Sequence, residues 1–139
     1  MAVYCALLDD KTREVMVVDH VKADSWLLPG GHVDPDEDPR HTAEREIREE
    51  LAISPKFHDG FGDQPLFLSV TQTRGEESHI DVTLWFVLMG DRTQELCIDE
   101  REARSVEWLA IDDPAVWVKR RLDPQMHRFL SKLTTALMT

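Results

Sequence analysis

The sequence predicts an α+β fold, a mixed β-sheet with helices packed against it, in one domain covering residues 1–139. Three observations predict it. Strand-like apolar runs and helical stretches are interleaved, but not in the regular strand–helix–strand order of an all-parallel sheet. His79 to Met89 alternates cleanly, with Ile80, Val82, Leu84, Phe86 and Leu88 on one face. Two segments, each introduced by Asp-Pro, carry apolar residues at helical spacing.

In chain order, Ala2 to Leu8 reads as a strand and Asp9-Asp10-Lys11-Thr12 as a turn. Val15 to Val21 reads as the partner strand of a hairpin. Trp26-Leu27-Leu28 is a brief apolar stretch, which Pro29-Gly30-Gly31 ends as a turn. The two glycines permit positive φ and a close backbone approach to a ligand. Asp38 is expected to cap a helix with Pro39 in its first turn, running to about Leu51. Pro65 to Arg74 and His79 to Met89 read as strands joined through Gly75-Glu76-Glu77-Ser78. The second has a polar-then-apolar face, His79, Asp81, Thr83, Trp85 and Val87, as expected where a strand opens onto a cleft or solvent. Ser105 to Ile111 reads as the last strand, Ala115 to Arg121 as a short helix, and Met126, Phe129, Leu130, Leu133 and Leu137 as the buried stripe of a C-terminal helix capped through Asp123-Pro124.

A hydrophobic content of 42% with 31% charged residues reads as a soluble, globular chain. The net charge of -11 disfavours stable binding to nucleic acid or to an anionic membrane. It suits a protein that gathers Mg²⁺ or Mn²⁺. Cys5 and Cys97 are too few for a disulfide framework and lack metal-site spacing, so two reduced thiols in or near a core are expected. The first residues lack the basic segment and long apolar run of a signal peptide, and no stretch approaches a membrane span. A cytoplasmic location follows as the expectation.

The centre of the chain is Leu28 to Ile53. Glu46, Glu49 and Glu50 fall on one arc of the expected helix, beside an apolar stripe of Ala43, Ile47 and Leu51. Like charges at that spacing destabilise a helix, so a compensating partner is needed, and a divalent cation is the obvious one.

Gly31, Glu37, Arg45-Glu46, Ile47, Glu49-Glu50 and Ile53 match the Nudix box, position by position, with Ala52 where the box has its final glycine. Trp26 to Pro29 is similar to the usual lead-in. The chain resembles a MutT-like Nudix hydrolase along its whole length, which implies an α/β/α sandwich with a central mixed β-sheet. The resemblance implies that Glu46, Glu49 and Glu50 hold Mg²⁺ or Mn²⁺, with the Gly30 carbonyl as a backbone ligand and Glu46 as first choice for general base. Arg45 joins them in the catalytic set. The resemblance also implies that Glu37 pairs with Arg45 and that Gly31 and Glu37 have structural parts in the motif. A late-loop acid is expected at Glu102, with Glu100 and Asp99 as alternatives. Ala52 removes no ligand.

The activity implied is hydrolysis of a nucleoside diphosphate linked to a moiety X, by water attack on phosphorus, with (deoxy)nucleoside triphosphates or oxidised nucleotides foremost. Nucleotide sugars, ADP-ribose-type substrates, or a non-catalytic nucleotide sensor are the alternatives. No SQPW run is present. Leu68-Ser69 and Val70-Thr71 stand where ADP-ribose and dinucleoside polyphosphate enzymes tend to carry proline and tyrosine. No substrate-binding residue is assigned. His32 and His79 could approach substrate, but a surface role is the plainer reading. Trp26, Trp85 and Phe86 read as core packing before base stacking, and Arg74, Arg101 and Arg104 as solvated. Homodimers are frequent in the family, and nothing in the sequence locates an interface.

Overall fold

The computed structural model describes residues 1–72 and 79–138. Its strands are β1 (Ala2–Asp9), β2 (Glu14–His20), β3 (Ser25–Leu27), β4 (Gly30–His32), β5 (Phe67–Gln72), β6 (Ile80–Met89) and β7 (Ala103–Ala110). Its helices are α1 (Pro39–Leu51), α2 (Pro114–Val118) and α3 (Met126–Leu137). All seven strands belong to one sheet, in the order β3-β2-β1-β6-β5, with β4 added to β1 and β7 to β2.

β1 lies parallel to β6 from Ala2 to Leu8, and β6 is antiparallel to β5. Both faces of β1 are covered, which explains its continuous apolar run. Val3, Cys5 and Leu7 pack with Ala43, Ile47 and Leu51 of α1. Ala6 and Leu8 pack with Met126, Phe129, Leu130 and Leu133 of α3. β6 divides the same way: Phe86 and Leu88 face α1, while Trp85 and Val87 face α3. The expected mixed sheet between helical layers is the observed fold.

Several expectations are corrected. The opening hairpin is only a closed end, because β1 and β2 are in register at Leu8–Val15 and Asp9–Glu14 alone. β1 then takes β4 as its antiparallel neighbour, while β2 pairs with β3 and β7. The sheet therefore parts between β1 and β2. Gly30-Gly31 is not a positive-φ turn but the strand β4; Gly62 is the one glycine with positive φ among the described residues. A β-carbon on Gly30 would collide with the Val3 carbonyl, and one on Gly31 with the Glu46 carboxylate. Close approach, rather than backbone freedom, is what these positions need.

The last strand begins at Ala103, two residues early, because Ala103 pairs with His20. Asp38 caps α1 through the Arg40 N–H, as expected, whereas α3 begins at Met126 with Asp123 accepting from the Gln125 N–H in the preceding turn. α2 ends at Val118 rather than Arg121. Ile80 is exposed, so the apolar face of β6 buries only from its middle onward. Cys5 is buried, but Cys97 is exposed rather than near the core; both are free. Arg74 and the Gly75–Ser78 connection lie outside the described residues.

Candidate active site

α1 is seated by its apolar stripe, so its next edge faces the parting of the sheet. There a cleft of about 530 Å³ opens, lined by Gly30, Gly31, Glu46, Glu50 and Glu102 along one flank. The three box glutamates do not share one environment. Glu50 is buried at 8% exposure and accepts from the Gly30 N–H at 3.3 Å. The Glu46 side chain is 13% exposed, against Gly31. Glu49 is 60% exposed and leans on Arg45.

Arg45 ties these groups together. Its guanidinium donates to both Glu37 oxygens at 2.9 Å, a bidentate pair. It also donates to Glu46 at 3.0 Å, to Glu49 at 3.4 Å and to the His32 carbonyl at 3.3 Å. Glu37 accepts further from the Thr42 hydroxyl and the Asp34 N–H. Those bonds, Arg45 foremost, hold the Glu37 carboxyl down at about 2. Part of the charge strain expected on α1 is thus relieved by Arg45.

The rest is not relieved. Burial, with the neighbouring charges of Glu49 and Glu102, pushes Glu46 up to about 7 against the pull of Arg45. Burial again, then the charges of Glu46 and Glu102, push Glu50 up to about 9.

Glu102 arrives from the far side of the chain. The Asp99 N–H donates to the Glu50 carbonyl, and the Glu102 N–H donates to the Asp99 carbonyl. The loop is thereby docked on the end of α1. The Glu102 carbonyl accepts from Val21, fixing it beside the end of β2. Of the three late-loop acids, Glu102 lines the cleft; Asp99 is turned to Arg101, and Glu100 is exposed outside it. The Gly30 contact with the glutamates runs through its N–H, not its carbonyl. Among the described residues, no three His, Cys, Asp or Glu side chains are grouped closely enough to hold a metal ion as they stand.

Other candidates separate. His32 lines the cleft, and His79 does not. Trp85 and Phe86 are core residues, and Trp26 lies under Arg120. Arg101 pairs with Asp99, and Arg104 with Asp19 and Asp24. Tyr4, His20, Lys22, Asp81 and Thr83 also line the cleft and carried no assignment from sequence. The polar first half of β6 was the available signal for Asp81 and Thr83. Nothing in sequence pointed to the others, because their convergence depends on where the sheet parts.

The family model described as the NUDIX domain matches residues 1–133. A curated relative, diphosphoinositol polyphosphate phosphohydrolase 3-alpha of Mus musculus, is 28% identical over 125 residues, 89% of this chain and 71% of that one. Among solved structures, a C. elegans Ap4A hydrolase binary complex aligns over 99% of this chain and 96% of its own, with a TM-score of 0.73 at 17% identity. A MutT protein from Methanosarcina mazei Go1 gives a TM-score of 0.72 at 17% identity, over 99% and 94%. An acidic helix edge facing a cleft in a parted mixed sheet, on a chain matched almost end to end, defines its class: the chain belongs to the Nudix hydrolase family.

Proposed function

We propose that the chain is a divalent-metal-dependent pyrophosphohydrolase of nucleoside diphosphate derivatives, nucleoside triphosphates or their oxidised forms foremost, working in the cytoplasm. The observation that carries this reading is the juxtaposition of Glu46, Glu50 and Glu102 on one flank of the cleft. Though not drawn together as they stand, these carboxylates, with proton affinity raised at Glu46 and Glu50, are a donor set that a hard cation suits, since Mg²⁺ and Mn²⁺ choose oxygen ligands. Glu46, Glu50 and Glu102 would hold the cation, with Glu49 at the exposed margin. When bound, it would supply charge neutralisation at phosphate oxygen and a more acidic water.

The chain's own residues then have distinct parts. Glu46, held by Arg45 and lifted to about 7 by burial and its acidic neighbours, is suited to take a proton from water near neutral pH. Arg45, anchored on Glu37, orients Glu46 and Glu49. Gly31 leaves the Glu46 carboxylate the space a methyl group would fill.

The charge of the rim bears on the substrate. Lys22 and Arg45 are the lysine and arginine among the described lining residues, and Arg45 is occupied by carboxylates, while Asp34 and Asp81 are acidic. A ligand bearing phosphates all round, as the name of the mouse relative denotes, would meet repulsion there. A nucleotide, charged at one end only, suits the cleft better, and about 530 Å³ is ample for one.

The test is hydrolysis by the purified chain, with Mg²⁺ or Mn²⁺, of nucleoside triphosphates, oxidised dGTP, nucleotide sugars, ADP-ribose and dinucleoside polyphosphates. Nucleoside triphosphates should be cleaved fastest. Glu50→Gln should lower metal-dependent turnover by about 100-fold or more, the scale of losing one strong transition-state contact, with an unchanged circular dichroism spectrum. Full turnover by that variant would sink the assigned role. Binding of nucleotides without cleavage of any would favour the sensor alternative.

A further inference from the structure

We propose that Asp81 reads the nucleobase, selecting one whose edge presents two adjacent N–H donors, guanine among the common bases. The inference rests on the nucleotide reading above and adds what chooses among nucleotides.

The cleft continues around the parted sheet to the face opposite α1. On β6, Asp81, Thr83 and Trp85 alternate onto the face that packs against α3, whereas Glu46 and Glu50 come from α1 on the other. Asp81 and Thr83 line the cleft there, with Ala2 and Tyr4 of β1. Ala2 stands directly beside Thr83 in the parallel register, and Tyr4 beside Trp85. The floor is therefore made of two small side chains, bordered by the Tyr4 ring and the Asp81 carboxylate. A flat ring suits that floor better than a branched one.

The Asp81 side chain is only 17% exposed. Its carboxylate meets the Met1 amino group at 3.4 Å and His32 Nε2 at 3.8 Å. Asp81 is paired with Thr71 of β5, two residues ahead of the Ala2–Thr83 pair at which β1 joins β6 on its other side. A rigid element places a recognition group accurately.

The chemistry follows from the carboxylate. Ionised, it accepts hydrogen bonds and donates none, and it repels phosphate. That end of the cleft therefore favours the base over the triphosphate. Guanine offers N1–H and the 2-amino group side by side, a match for two carboxylate oxygens. Hypoxanthine keeps the first donor and lacks the second. Adenine sets a ring-nitrogen lone pair beside its amino group, which a carboxylate opposes and an asparagine amide accommodates.

The experiment compares kcat/KM for GTP, ITP and ATP in the wild type and in Asp81→Asn, with Mg²⁺. The wild type should prefer GTP to ITP by about 10-fold, and Asp81→Asn should move the GTP-to-ATP ratio toward ATP by about 10- to 100-fold, as expected for one bidentate base contact. The change should lie mainly in KM. A variant that merely misfolds would lower all three substrates together, and the wild-type comparison needs no variant. Nucleotides cleaved with no preference for GTP, or a ratio unmoved by Asp81→Asn, would overturn the role of Asp81 alone. If the wild type cleaved no nucleotide, the underlying functional reading would fall first, and the role of Asp81 with it.

Discussion

Ala52 shows what a single residue costs. It takes φ 56° and ψ 38°, the left-handed conformation, to end α1, and its N–H donates to the Arg48 carbonyl at 3.1 Å. A β-carbon makes that conformation unfavourable by about 1 kcal/mol, and glycine is free of the penalty. Ala52→Gly should raise unfolding stability by about 1 kcal/mol, read as a shifted denaturation midpoint at unchanged slope, with turnover unaltered. The departure from the box at this position was legible in sequence, and so was its setting at a helix end. The division among Glu46, Glu49 and Glu50 was not. Their spacing puts them on one arc, but 8% exposure for Glu50 and 60% for Glu49 depend on what α1 packs against.

At the scale of elements, the loop from Asp34 to Asp38 and the helix α1 are held as a unit by Glu37 and Arg45. The Glu37 carboxyl titrates near 2 in the folded chain, against an ordinary 4.5, because Arg45 and Thr42 donate to its charged form. A depressed carboxyl contributes stability that is whole above the unfolded value and is lost as pH falls through the folded one. The contribution should therefore fade between about pH 4.5 and about 2. Glu37→Gln should lower stability at neutral pH and flatten its decline across that window, measured as denaturation midpoints against pH. The pairing of Glu37 with Arg45 was implied by the resemblance to the Nudix family, and the structure forms it. The strand β4 was not, since Gly30-Gly31 has the composition of a turn, and only its packing against Val3 and Glu46 makes it a strand without room for side chains.

For the whole molecule, a net charge of -11 and a cluster of buried carboxylates act in the same direction. Glu46 and Glu50 titrate at about 7 and about 9 in the fold, above the ordinary 4.5, chiefly through burial, with Glu49 and Glu102 adding to the first and Glu46 and Glu102 to the second. Raised carboxyls bind protons more tightly when folded, so stability should fall as pH rises from about 4.5 toward 9. A cation that binds the ionised forms offsets this loss, so millimolar Mg²⁺ should raise the melting temperature more at pH 8 than at pH 5.5. An equal rise at both would count against Glu46 and Glu50 as its ligands. The sequence by itself determined the α+β class and the run of α1 with its carboxylate edge, because these rest on local periodicity, while the Glu37–Arg45 pair was implied by the resemblance to the family. Only the tertiary structure decided where the sheet parts, that Glu102 rather than Glu100 or Asp99 faces the cleft, and that Asp81 and Tyr4 join it. Those placements come from strand pairing and loop docking between residues far apart in the chain, and local sequence patterns do not encode them.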